Sequence, residues 1–393
     1  MSDSGRRMFS ARSAFDLSLN ALARAHAKVR DGNLLDLTES NPTHAGIAYD
    51  GGAILPPLAA PASLLYEPFP FGLPSARTAV AADLSLYGPP VDPSRVVLTA
   101  STSEAYTFLF KLLCDPEDEV LVPRPSYPLF EHLARLECVQ AVSYRLAYDG
   151  AWHVDLPSVR AAVSKRTRAI VAVSPNNPTG SYLKREELTA LADLGLPIVS
   201  DEVFGRYATR TDPTRACSAL EAGDRAPLVF SLGGLSKLAG LPQMKVAWMG
   251  VGGEAARVAE ALGRLEVIAD AFLSVGTPVQ CALPALLSSR GVAEGAIRAR
   301  VLSNLAGLRS AVEGSAVSLL DVEGGWSAIL RLPQTRTEEA WALAFLEGDS
   351  VHVHPGHFYD FEDEAYMIVS LLTPEATLRE GVRRMVARVD RDA

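Results

Sequence analysis

Apolar positions in the middle of the chain gather into short β-branched runs: "RVVLTA" (95–100), "EVLVP" (119–123), "AIVAVSP" (169–175), "PIVSDEV" (197–203), "LVFSL" (228–232) and "KVAWMGV" (245–251). Helix-compatible segments stand between most of them, such as "SEAYTFLFKLLC" (103–114) and "KREELTALADLG" (184–195). This alternation predicts an α/β domain with a mainly parallel sheet. Such sheets bind ligands in the loops beyond the carboxyl ends of their strands. Polar clusters occupy those ends here: "TASTSE", "SPNNPTG", "SDEVF" and "GGLSK".

From about residue 285 the pattern changes to longer helical stretches with separated strands, "WSAILRL" (326–332), "VHVHP" (351–355) and "YMIVSLL" (366–372). A second, smaller α/β domain is expected there, with the amino-terminal arm through "LLDLTESNPT" (34–43) packed against it. The expected division is an arm over 1–48, a large domain over 49–284 and a small one over 285–393. A chain of 393 residues is in any case too long for one core of ordinary size.

Composition narrows the function classes. Hydrophobic residues make up 48% and charged residues 21%, the balance of a folded soluble protein. The net charge of −9 argues against a general nucleic-acid binder. No apolar run is long enough to span a bilayer, and "MSDSGRRMFSARSAF" has no apolar stretch behind its charges to act as a secretory signal. The four cysteines, Cys114, Cys138, Cys217 and Cys281, form no CxxC pair, so neither a metal site nor a disulfide framework is expected and a cytoplasmic location is the simpler reading.

Against this background one cation stands out. "GGLSKLAGLPQMK" (233–245) places Lys237 among glycines and small apolar residues directly after a strand. Such a lysine often lays its stem along apolar surface and reaches water with its ammonium. The other reading is that desolvation lowers its pKa and frees the amine as a nucleophile toward an aldehyde.

Four motifs in this order decide between the two. "SPNNPTG", "SDEV" and "LSK" at their spacing, with "ESNPT" ahead of them, resemble the fold-type I pyridoxal-phosphate (PLP) enzymes, specifically the class I/II aminotransferases, and the resemblance runs over nearly the whole chain. It implies that Lys237 forms a Schiff base with the cofactor and then moves the proton between Cα and C4′ as a general base. Asp201 is implied to partner the protonated ring nitrogen, Asn177 to donate to the phenolate and Tyr127 to stack on the ring. Ser101, Thr102 and Ser103 at a helix start would hold the phosphate together with Lys245. Tyr66 in "YEPFPFG" would reach the phosphate of a neighbouring subunit, which implies a homodimer with shared sites. Read without the resemblance, "NNPTG" is a turn, "TASTSE" a plain helix cap and Tyr127 ordinary packing. The small neighbours of Lys237 are expected to make room for the cofactor ring.

The pattern also departs from the family. Phe204 stands where a tyrosine commonly also bonds the phenolate, so the Schiff base is expected to titrate at higher pH. Gly234 replaces a serine, and Lys245 replaces an arginine fork with a point charge. Near the carboxyl terminus, "YMIVSLLTPE" has Ile368 two residues before Ser370, where the family has the arginine that grips the substrate α-carboxylate. Asn41, His357 and Ile368 are the candidate substrate-facing residues. Either another cation from a nearby loop, such as Arg124, Arg206, His44 or His357, takes over, or the substrate has no α-carboxylate in the usual place.

The leading function is thus a PLP-dependent aminotransferase that moves an amino group from a small-molecule donor to a keto acceptor. β-Elimination, decarboxylation or oxidation on the same fold is the alternative. A ligand-sensing regulator is a third reading, but no helix-turn-helix-sized segment stands ahead of "DLTESNPT" in the sequence.

Overall fold

In the computed structural model, which describes residues 8–29 and 34–392, the β-branched runs lie side by side. Strand β1 is Leu35–Asp36, and the next eight are β2 (Val96–Thr99), β3 (Glu119–Arg124), β4 (Gln140–Tyr148), β5 (Trp152–Val154), β6 (Thr167–Val173), β7 (Ile198–Asp201), β8 (Leu228–Gly234) and β9 (Ala247–Gly253). Those eight form one sheet in the order β2-β9-β8-β7-β6-β3-β4-β5. Its centre, from β8 to β4, is parallel, and β9, β2 and β5 run antiparallel to their neighbours. The fold is the expected α/β arrangement with a large, mostly parallel sheet.

The central strands are apolar on both faces because helices cover both. Successive side chains of a strand point to opposite sides. Ala169, Val171, Val199 and Phe230 therefore pack with Phe108, Leu109 and Leu265 of helices Thr102–Leu113 and Ala255–Asp270. Ile170, Ile198 and Val229 pack on the other side with Leu188 and Leu191 of helix Arg185–Ala192. Each such aliphatic side chain contributes about 1.5–3 kcal/mol when fully buried. Strands β4 and β5 carry no such run. Much of β4 is exposed or half-buried near the sheet edge, so its polar positions hid it in the sequence pattern.

The carboxyl-terminal strands are β10 (Ser318–Leu319), β11 (Ser327–Arg331), β12 (Val351–His352), β13 (His354–Pro355) and β14 (Tyr366–Ser370). Four of them form an antiparallel sheet, β10-β11-β14-β13, while β12 pairs in parallel with β1. Arm residue Leu37 is fully buried against Gly381 of helix Glu375–Asp392, where a Cβ would come within 2.7 Å of the Leu37 Cδ2. The backbone N–H of Ser370 donates to the Leu37 carbonyl at 2.7 Å, and the Ser370 hydroxyl donates to the Glu39 carbonyl at 2.6 Å.

A buried charge cluster ties the two parts of the chain together. Glu323, just ahead of β11, meets Lys184 and the Arg215 Nε, the latter at 3.2 Å, and all three side chains are largely withdrawn from solvent. Above it, the carboxyl ends of β6, β7 and β8 face the start of β11 and the strands β13 and β14. The space between them is the site described next.

Candidate active site

A cavity of about 420 Å³ opens between the two sheets. It gathers Lys237, Asp201, Asn177, Tyr127, Thr102, Ser103, Phe204 and Ile368, eight of the residues singled out by the sequence. They come from six separate stretches of chain, most of them at or just beyond the end of a strand or at the start of a helix, with Ile368 in the middle of β14.

Lys237 lies in the short helix Leu235–Leu238 directly after β8. Its ammonium has no hydrogen-bond or ion-pair partner among the described residues, and its Nζ sits 5.1 Å from the ring centre of Trp326 and 5.5 Å from that of Phe204. Burial lowers its pKa from the ordinary lysine value, with the charge of Asp201 opposing. A desolvated amine without a partner is poised to act as a nucleophile.

Asp201 is the last residue of β7. Burial lifts its carboxyl to about 6, against the opposing hydrogen bonds from the Val203 N–H at 3.2 Å and the Tyr106 hydroxyl at 3.4 Å. The neighbouring Glu202 points the other way, where it accepts from the Ala219 N–H and the Ser231 hydroxyl, both at 2.7 Å. Asp201 is therefore the acid that faces the cavity, with acceptor capacity left for a cationic N–H.

Asn177 follows β6. Its Oδ1 accepts from the Ser327 hydroxyl at 2.9 Å, which fixes the amide so that Nδ2 remains available to donate. The adjacent Asn176 is fully employed in holding the loop, through the Pro125 carbonyl, Thr179 and Ser126. Thr102 and Ser103 begin the twelve-residue helix Thr102–Leu113, whose free N–H groups and dipole favour an anion.

These residues fit pyridoxal phosphate. The set supplies an unpartnered amine, a buried carboxylate, a neutral amide donor, aromatic faces and a helix amino terminus. Among the described residues no cluster of side chains could hold a metal ion.

Other singled-out residues lie outside the cavity. The Ser101 hydroxyl caps its helix by accepting from the Glu104 N–H at 3.2 Å, the plain capping role. Lys245 closes a turn in the left-handed region at φ 49° and is exposed. Tyr66 is 76% exposed, beside a separate small cleft. Asn41 is held in a local turn, accepting from the N–H and hydroxyl of Thr43 at 3.0 and 2.8 Å. The His357 N–H donates to the buried Glu338 at 2.7 Å, and its ring lies 3.3 Å from the same carboxylate.

The glycines beside Lys237 do not leave room for a ring. A Cβ at Gly233 would come within 2.6 Å of the Trp248 indole nitrogen, and one at Gly234 within 3.0 Å of the Ala247 Cβ. They let β8 lie close against β9 and so serve packing.

The site also contains residues that the sequence did not signal. Tyr106, Trp326, Ser327, His354 and Tyr359 line the cavity. Tyr106 could have been found, since it falls three residues after Ser103 on the same helix face. The others read as core or edge residues until β11 and β13 are placed opposite β7.

The family model described as aminotransferase class I and II matches residues 59–385. Nicotianamine aminotransferase 1 of Oryza sativa subsp. japonica is 30% identical over 227 residues, covering 56% of this chain and 45% of that protein. An S-alkyl-thiohydroximate lyase of Arabidopsis thaliana is 28% identical over 229 residues, 55% of this chain and 48% of the lyase. The chain thus spans about half the length of the curated relatives it matches. An aminotransferase from Escherichia coli has the same fold, with a TM-score of 0.84 at 21% identity over 98% of both chains. With most of the chain matched by the family model, and the cavity built from that family's motifs, the protein belongs to the aminotransferase class I and II family.

Proposed function

We propose that the protein is a PLP-dependent aminotransferase, taking an amino group from a donor and passing it to a keto acceptor through a Schiff base on Lys237. The observation that carries this reading is the unpartnered, desolvated Lys237 amine in one cavity with Asp201 and Asn177. When bound, pyridoxal phosphate supplies an electron sink that acidifies the hydrogen on the carbon bearing the amine.

The chain's own groups do the rest. Asp201, facing the cavity, would hold a proton on the ring nitrogen by charge-assisted hydrogen bonding. Asn177, turned by Ser327, donates its Nδ2 hydrogens to the phenolate. Thr102 and Ser103, which line the cavity at a helix start, would receive the phosphate, and Tyr127, also lining it, would cover the ring. Lys237, its amine free, would move the proton between the donor carbon and the cofactor's C4′ on one face.

The same reading divides the chain into an arm over 1–48, a cofactor domain over 49–284 and a smaller domain over 285–393. It assigns the exposed Leu64, Leu65 and Tyr66 to the face of a homodimer, with Tyr66 reaching the neighbouring site and Lys245 and Ser101 assisting at the phosphate. Free cysteines are in keeping with a cytoplasmic location. No helix among the described residues is long and apolar enough to cross a membrane.

Reduction of the PLP-loaded protein with borohydride, followed by peptide mapping, tests the assignment. One label per chain on Lys237 is expected, and a label elsewhere or none overturns it. A second reading, a lyase on the same residues, is favoured by the relative that is an S-alkyl-thiohydroximate lyase. An aminated acceptor formed in step with the carbonyl product supports transfer, whereas free ammonia supports the lyase.

A further inference from the structure

The cavity is short of positive charge. Among the described residues lining it, the only lysine, arginine, aspartate or glutamate side chains are Lys237 and Asp201, both committed to the cofactor in the proposed reading. The remaining wall is aromatic and aliphatic, with Phe130, Leu133, Phe204, Trp326 and Ile368 prominent, and a scatter of hydroxyls.

The cations the sequence offered in compensation all lie beside acids outside the cavity. Arg124 lies 3.7 Å from Asp360, Arg206 3.5 Å from Glu294, His44 3.8 Å from Glu39 and His357 3.3 Å from Glu338. None of the four lines the cavity. The one imidazole that does is His354, opposite Ile368 in the β13–β14 pairing. Its Nδ1 lies 3.3 Å from the Tyr359 hydroxyl, and burial holds it near 4, so it is neutral at neutral pH.

A carboxylate carried into such a place would lose its hydration without gaining a counter-charge, which is strongly unfavourable. We infer that the site takes a primary amine whose nitrogen-bearing carbon carries an apolar aryl or alkyl group and no carboxylate. This rests on the reading of the cavity as a pyridoxal-phosphate site. The amine's C–N bond breaks, its nitrogen remains on the cofactor, and water provides the oxygen of the aldehyde or ketone that leaves. The amine is oxidised and the cofactor aldehyde is reduced to an amine. The acceptor enters the same cavity, so it too is an aldehyde or ketone without a neighbouring carboxylate. Ile368 sets this preference by occupying the wall with a hydrocarbon.

The test uses the full-length apoprotein and two reduced conjugates that differ by one carboxylate, N-phosphopyridoxyl-2-phenylethylamine and N-phosphopyridoxyl-phenylalanine. Binding is read by calorimetry and by quenching of tryptophan fluorescence, since Trp326 lines the cavity. The amine conjugate is expected to bind about tenfold tighter or more. Equal affinity, or tighter binding of the phenylalanine conjugate, overturns the inference and means that a cation reaches the cavity from a partner subunit. Failure to bind either conjugate, together with failure of pyridoxal phosphate to label Lys237, overturns the cofactor reading beneath it. In Ile368→Arg the ranking is expected to invert. Should that variant not fold, the comparison on the unaltered protein decides the matter alone.

Discussion

The phenol of Tyr207 donates a hydrogen bond to the backbone carbonyl of Lys237 at 2.7 Å and approaches the Leu238 carbonyl at 3.3 Å. Tyr207 is buried and packs edge-on against Trp326, 5.2 Å between ring centres. The short helix that carries Lys237 is thus pinned by a residue that does not line the cavity. Tyr207→Phe keeps the ring and removes the bond. It is expected to cost about 1–2 kcal/mol in urea unfolding and to lower kcat severalfold while borohydride still labels Lys237. Unchanged kcat would show that the bond does not position the amine.

Asp201 gives a pH signature in the apoprotein. Its folded-state value near 6 lies above the ordinary 3.8, so the folded state holds the proton more tightly than the unfolded chain. The favourable contribution is therefore full below about pH 4 and is lost as pH rises through about 6, with a ceiling of about 3 kcal/mol. Asp201→Asn removes this penalty. Its gain in unfolding free energy is expected to be larger at pH 8 than at pH 5 by about 1 kcal/mol. A gain that is the same at both would mean that Asp201 does not titrate in this range. With cofactor bound the same variant is expected to lose most turnover.

Two side chains around Asn177 move the titration of the bound cofactor in opposite directions. Ser327→Ala frees the Asn177 amide to rotate, which weakens its donation and should raise the pH of the visible colour change by about half a unit. Phe204→Tyr, whose ring packs 5.2 Å from that of Trp326, brings a hydroxyl toward the same phenolate and should lower that pH. A spectrophotometric titration of the two variants settles both directions, and a shift of the same sign in each would contradict the assignment.

The charge cluster at Glu323 predicts a stability effect remote from the chemistry. Glu323→Ala leaves the buried Arg215 and the half-buried Lys184 with Asp212, at 3.9 and 3.4 Å, as their remaining carboxylate, while Arg215 keeps its bond to the Arg210 carbonyl and its place over the Tyr182 ring. A loss of about 3 kcal/mol is expected in chemical denaturation. A loss below about 1 kcal/mol would place the cluster among surface ion pairs in its energetic weight.

The pole of the cavity proposed to hold the cofactor was legible in the sequence. Lys237 and Asp201 stand at or just past the ends of apolar strands, whereas Asn177 lies in "NNPTG", a turn by residue type, and was marked by the family resemblance. The substrate pole was not. Trp326, His354 and Tyr359 are apolar or aromatic residues in stretches that read equally well as core, and only the placement of β11 and β13 opposite β7 turns them toward a cavity. The pairing of the candidate cations left no mark in the sequence for a related reason. Arg206 and His357 are matched with Glu294 and Glu338, acids far away or inconspicuous along the chain, and ion pairing of that kind leaves no periodic trace.

Ser370 binds the arm twice, through its N–H to Leu37 and its hydroxyl to Glu39. Between and beyond those anchors lie Thr38 and Ser40, which line the cavity from the arm, while Ile368 and Ser370 line it from β14. The arm and the four-stranded sheet are therefore mechanically continuous at this wall. A tilt of that sheet would carry Thr38 and Ser40 with it, so that residues more than three hundred positions apart in the chain would shift as one wall.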